Sequence, residues 1–389
     1  MGLPKPSLTF TLPSLHDDTP LDCRIYQPKA TLNGAFSNVA AILAHPYAPL
    51  GGCFDDPVLD AVGSELLENG WAVATFNFRG ALGSHGRTSW TGKPEVADYI
   101  TIAGFVIFYL QHLQVRQRGI QSPEEGVGLP PQVGNPESSD PNTIHLILGG
   151  YSYGSLIVTH LPTVSEIIAR FSSPVEGSAA AEVRLRARRL AEEDAALYSA
   201  SLPATNVDSS PCSPSKSRLL SIGGDETDAE HRRSLRELRR SIDGRPSHRS
   251  LDLPERIRSI RHKDKGNQTG PSTLASDGSD LQAGHMPNVV ESYLLISPLL
   301  PPTSFFTAVS LRDPNLEKFS RHPTLAVFGD SDVFTSIRKL REWAAGRSQP
   351  DGSRFQGAAV NKGGHFWIDP AHVRELKEAV IRWAASIKQ

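Results

Sequence analysis

Cysteine is scarce in this chain, and its placement excludes two kinds of scaffold. Of 389 residues only Cys23, Cys53 and Cys212 are cysteine. An odd, widely spaced set with no CxxC and no paired Cys/His spacing builds neither a disulfide framework nor a zinc site, and it points to a reducing compartment. Net charge is scarce too. The 40 Lys and Arg residues stand against 42 Asp and Glu, a formal −2, so no global field calls for nucleic acid or an anionic membrane. No run of about 18 apolar residues occurs, the length a membrane span needs. The opening MGLPKPSLTFTLPS has prolines where a secretory signal needs an apolar core. Pro6 stands where a myristoylation motif on Gly2 wants Ser or Thr, and the final SIKQ is not a peroxisomal address. The expectation is a cytoplasmic protein with no transmembrane segment.

The hydrophobic fraction of 39% is below the globular norm, so part of the chain is expected not to pack. What does pack reads as alternating strands and helices. Ser7 to Pro13 (SLTFTLP) and Leu21 to Pro28 (LDCRIYQP) are short strands bounded by Pro, Asp and Gly. Asn38 to Tyr47 (NVAAILAHPY) and Trp71 to Gly80 (WAVATFNFRG) are near-continuous apolar runs, as expected of strands buried on both faces. Between them, Asp55 to Gly70 carries an acidic start, an early Pro and a closing Gly, which are helix boundary signals. KPEVADYITIAGFVIFYLQHLQ is a helix whose apolar residues cover more than one face, followed by a Pro/Gly/Ser-rich loop from Gln117 to Pro141. Thr143 to Gly149 (TIHLILG) is another buried strand. It runs into GYSYG and then SLIVTHLPTV, which reads as an apolar helix.

Composition shifts after Pro174. Val175 to Leu202 has Ala, Leu, Arg and Glu at helical spacing, read as a surface helix, whereas Pro203 to Gly284 is rich in Ser, Asp, Arg and Gly with very few aromatics, the signature of disorder. Its basic clusters, such as HRRSLRELRR, read as a solvated face of the insert. Order is expected again at Val289 to Leu300, Thr324 to Asp330 and Phe355 to Val360, each followed by a helix, the last being Pro370 to Ile387. The organisation is a first core part (1–170), an insertion (171–285) that is a possible cap, and a second core part (286–389). Successive βα units predict an α/β fold with a mostly parallel central sheet and helices on both faces, the first strands lying antiparallel at one edge. Reactive residues are then expected at the carboxyl ends of strands.

Three such ends carry the side chains of interest. Ser152 follows Gly149, Asp332 follows the strand ending near Asp330 in FGDSDVF, and His365 follows the last strand in VNKGGHFW. Their chain order is Ser, Asp, His. With HP before the first helix and FNFRG after the next strand, the sequence resembles the α/β-hydrolase superfamily of serine hydrolases, and more closely its small soluble esterase-like branch, over residues 7–170 and 286–389. The resemblance implies the α/β-hydrolase fold and a Ser152, His365, Asp332 triad. A serine hydroxyl is a weak nucleophile that needs a base, and the base needs a carboxylate to hold its tautomer. Gly150 and Gly154 permit the strained elbow that presents Ser152. The oxyanion needs backbone donors worth about 3 kcal/mol each. Tyr153 N–H is one. In the loop HPYAPLGG, Pro46 and Pro49 have no N–H, so Tyr47 leads and Ala48 is second. Asp332 and His365 lie 33 positions apart, room for one helix and one strand.

Several residues have plainer roles beside them. Asp330 competes with Asp332 as the acid and alternatively caps a turn; the family spacing of Gly, two residues, Asp favours Asp332. His45 reads as a loop-ordering residue, Arg79 as a turn stabiliser rather than a carboxylate anchor, and Cys53 as a small buried residue. Tyr47, Tyr151, Tyr153, Phe334, Phe366 and Trp367 divide between an acyl pocket and ordinary core. The expected reaction is hydrolysis of a carboxylic ester or thioester of a small-molecule acyl substrate through an acyl-enzyme, without metal, cofactor or nucleic acid. Two alternatives stay open. One is a peptidase or amidase on the same triad, since GYSYG also looks like elbows in peptidases that cut after proline. The other is a binding or scaffold protein with an idle hydrolase core.

Overall fold

In a computed structural model the chain is described over residues 2–28, 38–121, 142–201, 286–300 and 314–388. The low-complexity stretch from Pro203 to Gly284 lies outside these residues, as does most of the expected loop before Pro141. Strands β1 (Leu8–Pro13) and β2 (Pro20–Tyr26) form an antiparallel hairpin, and β2 pairs antiparallel with β4 (Ala72–Phe76). From there the sheet is parallel. It runs through β3 (Val39–Ala44), β5 (Ile144–Tyr151), β6 (Val289–Ile296), β7 (Thr324–Gly329) and β8 (Phe355–Val360), in the order β1-β2-β4-β3-β5-β6-β7-β8.

Every residue of β3, β4 and β7 is buried, because both faces of the sheet are covered. The strand period sends alternate side chains to opposite cores. Ala40, Ile42 and Ala44 enter one core, and Val39, Ala41 and Leu43 the other. Edge strand β8 pairs on one side only and is less deeply covered, with only Phe355 and Val360 buried, which explains its faint signal in sequence.

Helix α1 (Pro57–Glu68) starts where Asp56 accepts from the N–H groups of Val58 and Leu59, with Pro57 at the first turn. It contributes Val58, Leu59, Val62 and Leu66 to the second core. Helix α2 (Lys93–Gln121) runs four residues past Gln117, the start expected for the loop. Over Lys93–Arg116 it is long and apolar enough to cross a membrane, yet 78% of its apolar 18-residue window is buried inside the fold. It packs against the sheet and against α5 (Ala179–Ser201), so its apolar residues wrap more than one face. The α5 segment is accordingly not a free surface helix: Val183, Ala187 and Ala191 are buried in the same core.

The apolar run after the elbow is two helices, not one. Helix α3 (Tyr153–Thr159) stops before Pro162, and α4 (Val164–Ser172) restarts from a capping box between Thr163 and Glu166. Pro162 cannot continue a hydrogen-bonded turn, and Thr163 is a favoured start. A helical turn, α6 (Lys318–Arg321), precedes β7. Helices α7 (Ile337–Ser348) and α8 (Pro370–Ser386) follow β7 and β8, with α7 on the first core and α8 on the second, beside α1.

Candidate active site

Strand β5 ends in the elbow. Ser152 has φ 54° and ψ −112°, a left-handed conformation for a residue with a side chain, which costs about 1–3 kcal/mol and survives only where neighbours enforce it. Two neighbours do so. Ser152 N–H donates to the carbonyl of Ile296 on β6 at 2.9 Å, and the backbone closes tightly on both flanking glycines. A Cβ on Gly150 would collide with the backbone of Gly154, and one on Gly154 would collide with the Ala44 carbonyl at the end of β3. The alternation Gly-x-Ser-x-Gly is therefore a steric requirement of this turn.

The turns after β7 and β8 converge on it. His365 Nε2 lies 2.8 Å from Ser152 Oγ, and His365 Nδ1 lies 2.7 Å from Asp332 Oδ2. The His365 and Asp332 side chains are 2% and 1% exposed, so both contacts are shielded from water. Asp332 Oδ1 accepts from the N–H groups of Phe334 and Thr335 at 2.7 and 3.0 Å. With the carboxylate thus held, it accepts the hydrogen bond from Nδ1–H, which leaves Nε2 free to accept from the serine hydroxyl. Asp330, the competing acid, accepts from Lys362 N–H at 2.6 Å and from Ser331 Oγ at 3.1 Å. It caps the turn after β8 and does not meet the histidine.

The order of strands, the crossing from antiparallel edge to parallel sheet, and an elbow serine meeting an acid and a base from two later strand ends define the architecture. This is the α/β-hydrolase fold. No protein-family model matches the chain, and neither does any curated protein. Among solved structures it is similar to an α/β serine hydrolase homologue from Coxiella burnetii, at 14% identity and a TM-score of 0.41 over 97% of this chain and 98% of that one. It is likewise similar to an α/β serine hydrolase without lid from Xanthomonas campestris, at 16% and 0.43 over 98% and 95%. Mouse alpha/beta hydrolase domain-containing protein 10 is a third, at 12% and 0.41 over 98% and 100%.

The loop after β3 sits against the elbow, with the rings of Tyr47 and Tyr153 edge to face at 5.1 Å. Tyr153 is the first residue of α3, a position whose N–H has no acceptor within the helix. Tyr47 caps the 3-10 turn Ala48–Leu50, and its carbonyl accepts from Leu50 and Gly52. Its own N–H has no acceptor among the described residues. His45 orders this loop: Nε2 accepts from Phe78 N–H at 2.9 Å while Nδ1 donates to the Pro46 carbonyl at 2.6 Å. Burial pushes its pKa down to about 4, so it stands neutral.

Arg79 is fully occupied, donating to Asp98, Asp17 and Ser14 and so tying β4, the β1–β2 turn and α2 together. Its hydrogen bond holds the Asp17 carboxyl down to about 2. Cys53 is a half-buried free thiol. Tyr151, Tyr153 and Trp367 are buried, whereas Phe334 and Phe366 pack beside His365 with ring centroids at 4.5 and 5.4 Å.

Sequence reasoning missed the supports of the histidine. Tyr151 OH donates to the His365 carbonyl at 2.9 Å, and Trp367 Nε1 donates to Ser297 Oγ at 3.0 Å. Ser297 and Trp367 both take positive φ. Only their positions at strand ends flanking the elbow marked them. Lys318, 4% exposed, was also missed: its ammonium donates to the carbonyls of Val158 and Leu161 at 3.2 and 2.5 Å. A cation there complements the negative end of the helix that begins at the elbow.

Proposed function

We propose that this chain is a serine hydrolase that cleaves a carboxylic ester or thioester through an acyl-enzyme. The observation that carries the reading is the unbroken relay from Ser152 Oγ through His365 to Asp332, at 2.8 and 2.7 Å, in a setting where the base is already oriented. Ser152 attacks the acyl carbonyl while His365 Nε2 takes its proton. The imidazolium is stabilised by Asp332, whose charge is fixed by two backbone N–H groups, and it returns the proton to the departing alcohol or thiol. The backbone N–H groups of Tyr153 and Tyr47 receive the oxyanion. Water then repeats the sequence on the acyl-enzyme.

A partly apolar acyl substrate fits the surroundings. Phe334 and Phe366 flank His365, and Leu50 and Val333 are exposed in the loops after β3 and β7. The test is turnover of a p-nitrophenyl ester by the wild type and by Ser152→Ala, with an aminoacyl-proline amide as the competing substrate. Loss of ester turnover in the variant supports the reading. Preference for the amide would move the assignment to a peptidase, and undiminished turnover by Ser152→Ala would remove the serine mechanism.

A further inference from the structure

The loop from Asn77 to Gly92, between β4 and α2, carries features that the proposed chemistry does not use. Leu82 and Trp90 are 74% and 77% exposed, although large apolar side chains that serve packing are normally withdrawn from water. His85, Arg87 and Lys93 are exposed beside them, and the run from Asn77 to Pro94 contains no Asp or Glu. Among the described residues neither Arg87 nor Lys93 forms an ion pair. The loop is also firmly held. Gly80 N–H donates to the His85 carbonyl, His85 N–H to Pro20, Ser84 Oγ to the Asn77 carbonyl, and Ser89 binds the buried Glu95 through both its N–H and its hydroxyl. Its exposed apolar groups are therefore presented on a rigid support, which spares the cost of ordering them on contact.

The sheet places this loop at the same end as Ser152, since both follow the carboxyl ends of parallel strands. Further exposed apolar residues follow other strands at that end: Leu50 after β3, Val333 after β7, and Phe366 and Ile368 after β8. Carboxylates nearby are mostly engaged. Asp17 is bound by Arg79, Asp55 by Arg24, Asp330 by Lys362 N–H, and Asp369 caps α8; the exceptions are the exposed Asp18 and the half-buried Asp22, whose carboxylate lies beneath the loop at Gly83.

We propose that the Asn77 to Gly92 loop, with Lys93, docks the carboxyl-end face of the sheet onto an anionic phospholipid surface. Trp90 and Leu82 enter the headgroup region, where an amphipathic indole is favoured. Arg87 and Lys93 meet the lipid phosphates. The charge complementarity is local: the whole chain is nearly neutral, but this loop is purely cationic. Docking would bring the mouth of the Ser152 site to the lipid, although binding itself requires no turnover.

The experiment is co-sedimentation of the full chain with vesicles of phosphatidylcholine containing phosphatidylserine, against vesicles of phosphatidylcholine alone, at low and high salt. Binding should require the anionic lipid and weaken with salt. The double variant R87Q/K93Q should bind about 30-fold more weakly, or about fivefold per cation, and Trp90→Ser about tenfold more weakly. All of these side chains are exposed, so melting temperature and turnover of a soluble ester should not change. Ser152→Ala should bind like the wild type, which keeps this inference separable from the hydrolase reading. Absence of binding, or equal binding to both vesicle types, would overturn it. So would anionic binding unaltered by the loop variants, because the contact would then belong to another basic stretch such as His231 to Arg240.

Discussion

Acid should weaken this protein through His45, well before most carboxylates are protonated. The imidazole is buried at the end of β3, and Nε2 accepts a hydrogen bond from Phe78 N–H. Protonating it would set two N–H groups against each other in a dry site. Burial is the main cause of its low pKa, about 4 against an ordinary 6.5. Between these values the unfolded chain binds a proton that the folded chain refuses, so stability falls as pH drops from 6.5 towards 4. The full difference is about 3 kcal/mol, and about 2 kcal/mol of it is already lost at pH 5. The assay is urea unfolding at pH 7 and pH 5 for the wild type and for His45→Gln, whose amide oxygen can still accept from Phe78. Other titrating groups cancel in the comparison. The variant should be less stable at pH 7 but should lose about 2 kcal/mol less on acidification. Equal pH dependence in the two proteins would refute the placement of a neutral buried imidazole here, and with it the account of how the Tyr47 loop is held.

Two further outcomes follow from single residues. Asp332→Asn preserves shape but gives His365 Nδ1 no carboxylate, so kcat for ester hydrolysis should fall about 10⁴-fold with an unchanged melting temperature; Asp330→Asn, which loosens only a turn, should leave kcat within a small factor of wild type. Asp194 on α5 accepts from Tyr109 OH on α2, and burial lifts its carboxyl to about 6. The folded chain therefore holds a proton that the unfolded chain has released, and stability falls as pH rises from about 4 to 6. Asp194→Asn should be more stable than wild type by about 1–3 kcal/mol at pH 7 and indistinguishable at pH 4, read by urea unfolding.

Much of the architecture was legible because the βα repeat is written in local patterns. The buried runs of β3, β4 and β7 are apolar without interruption, and Gly150 and Gly154 flank a serine at a strand end. Asp332 and His365, read at two later strand ends, are a carboxylate and an imidazole on turns that the structure brings within hydrogen-bond distance of each other and of Ser152. What escaped depends on partners distant in sequence. Tyr151 stays undecided between pocket and core until its hydroxyl is seen on the His365 carbonyl, 214 positions away. The buried Lys318 has meaning only once α3 ends beside it. Val175 to Leu202 reads as a surface helix because charged residues dominate its composition, while the small Ala187 and Ala191 are what let the helix lie close to α2. Pro162 breaks the helix, but the apolar run on either side of it hides both the break and the restart at Thr163.

The central claim is that Ser152 is an activated nucleophile. Its most direct test is the intact mass of the full chain after brief exposure to a fluorophosphonate, followed by mapping of the modified peptide. A single adduct on the peptide containing Ser152, abolished in Ser152→Ala and strongly slowed in Asp332→Asn, is the expected result. An unmodified protein, or an adduct located on any other residue, would contradict it.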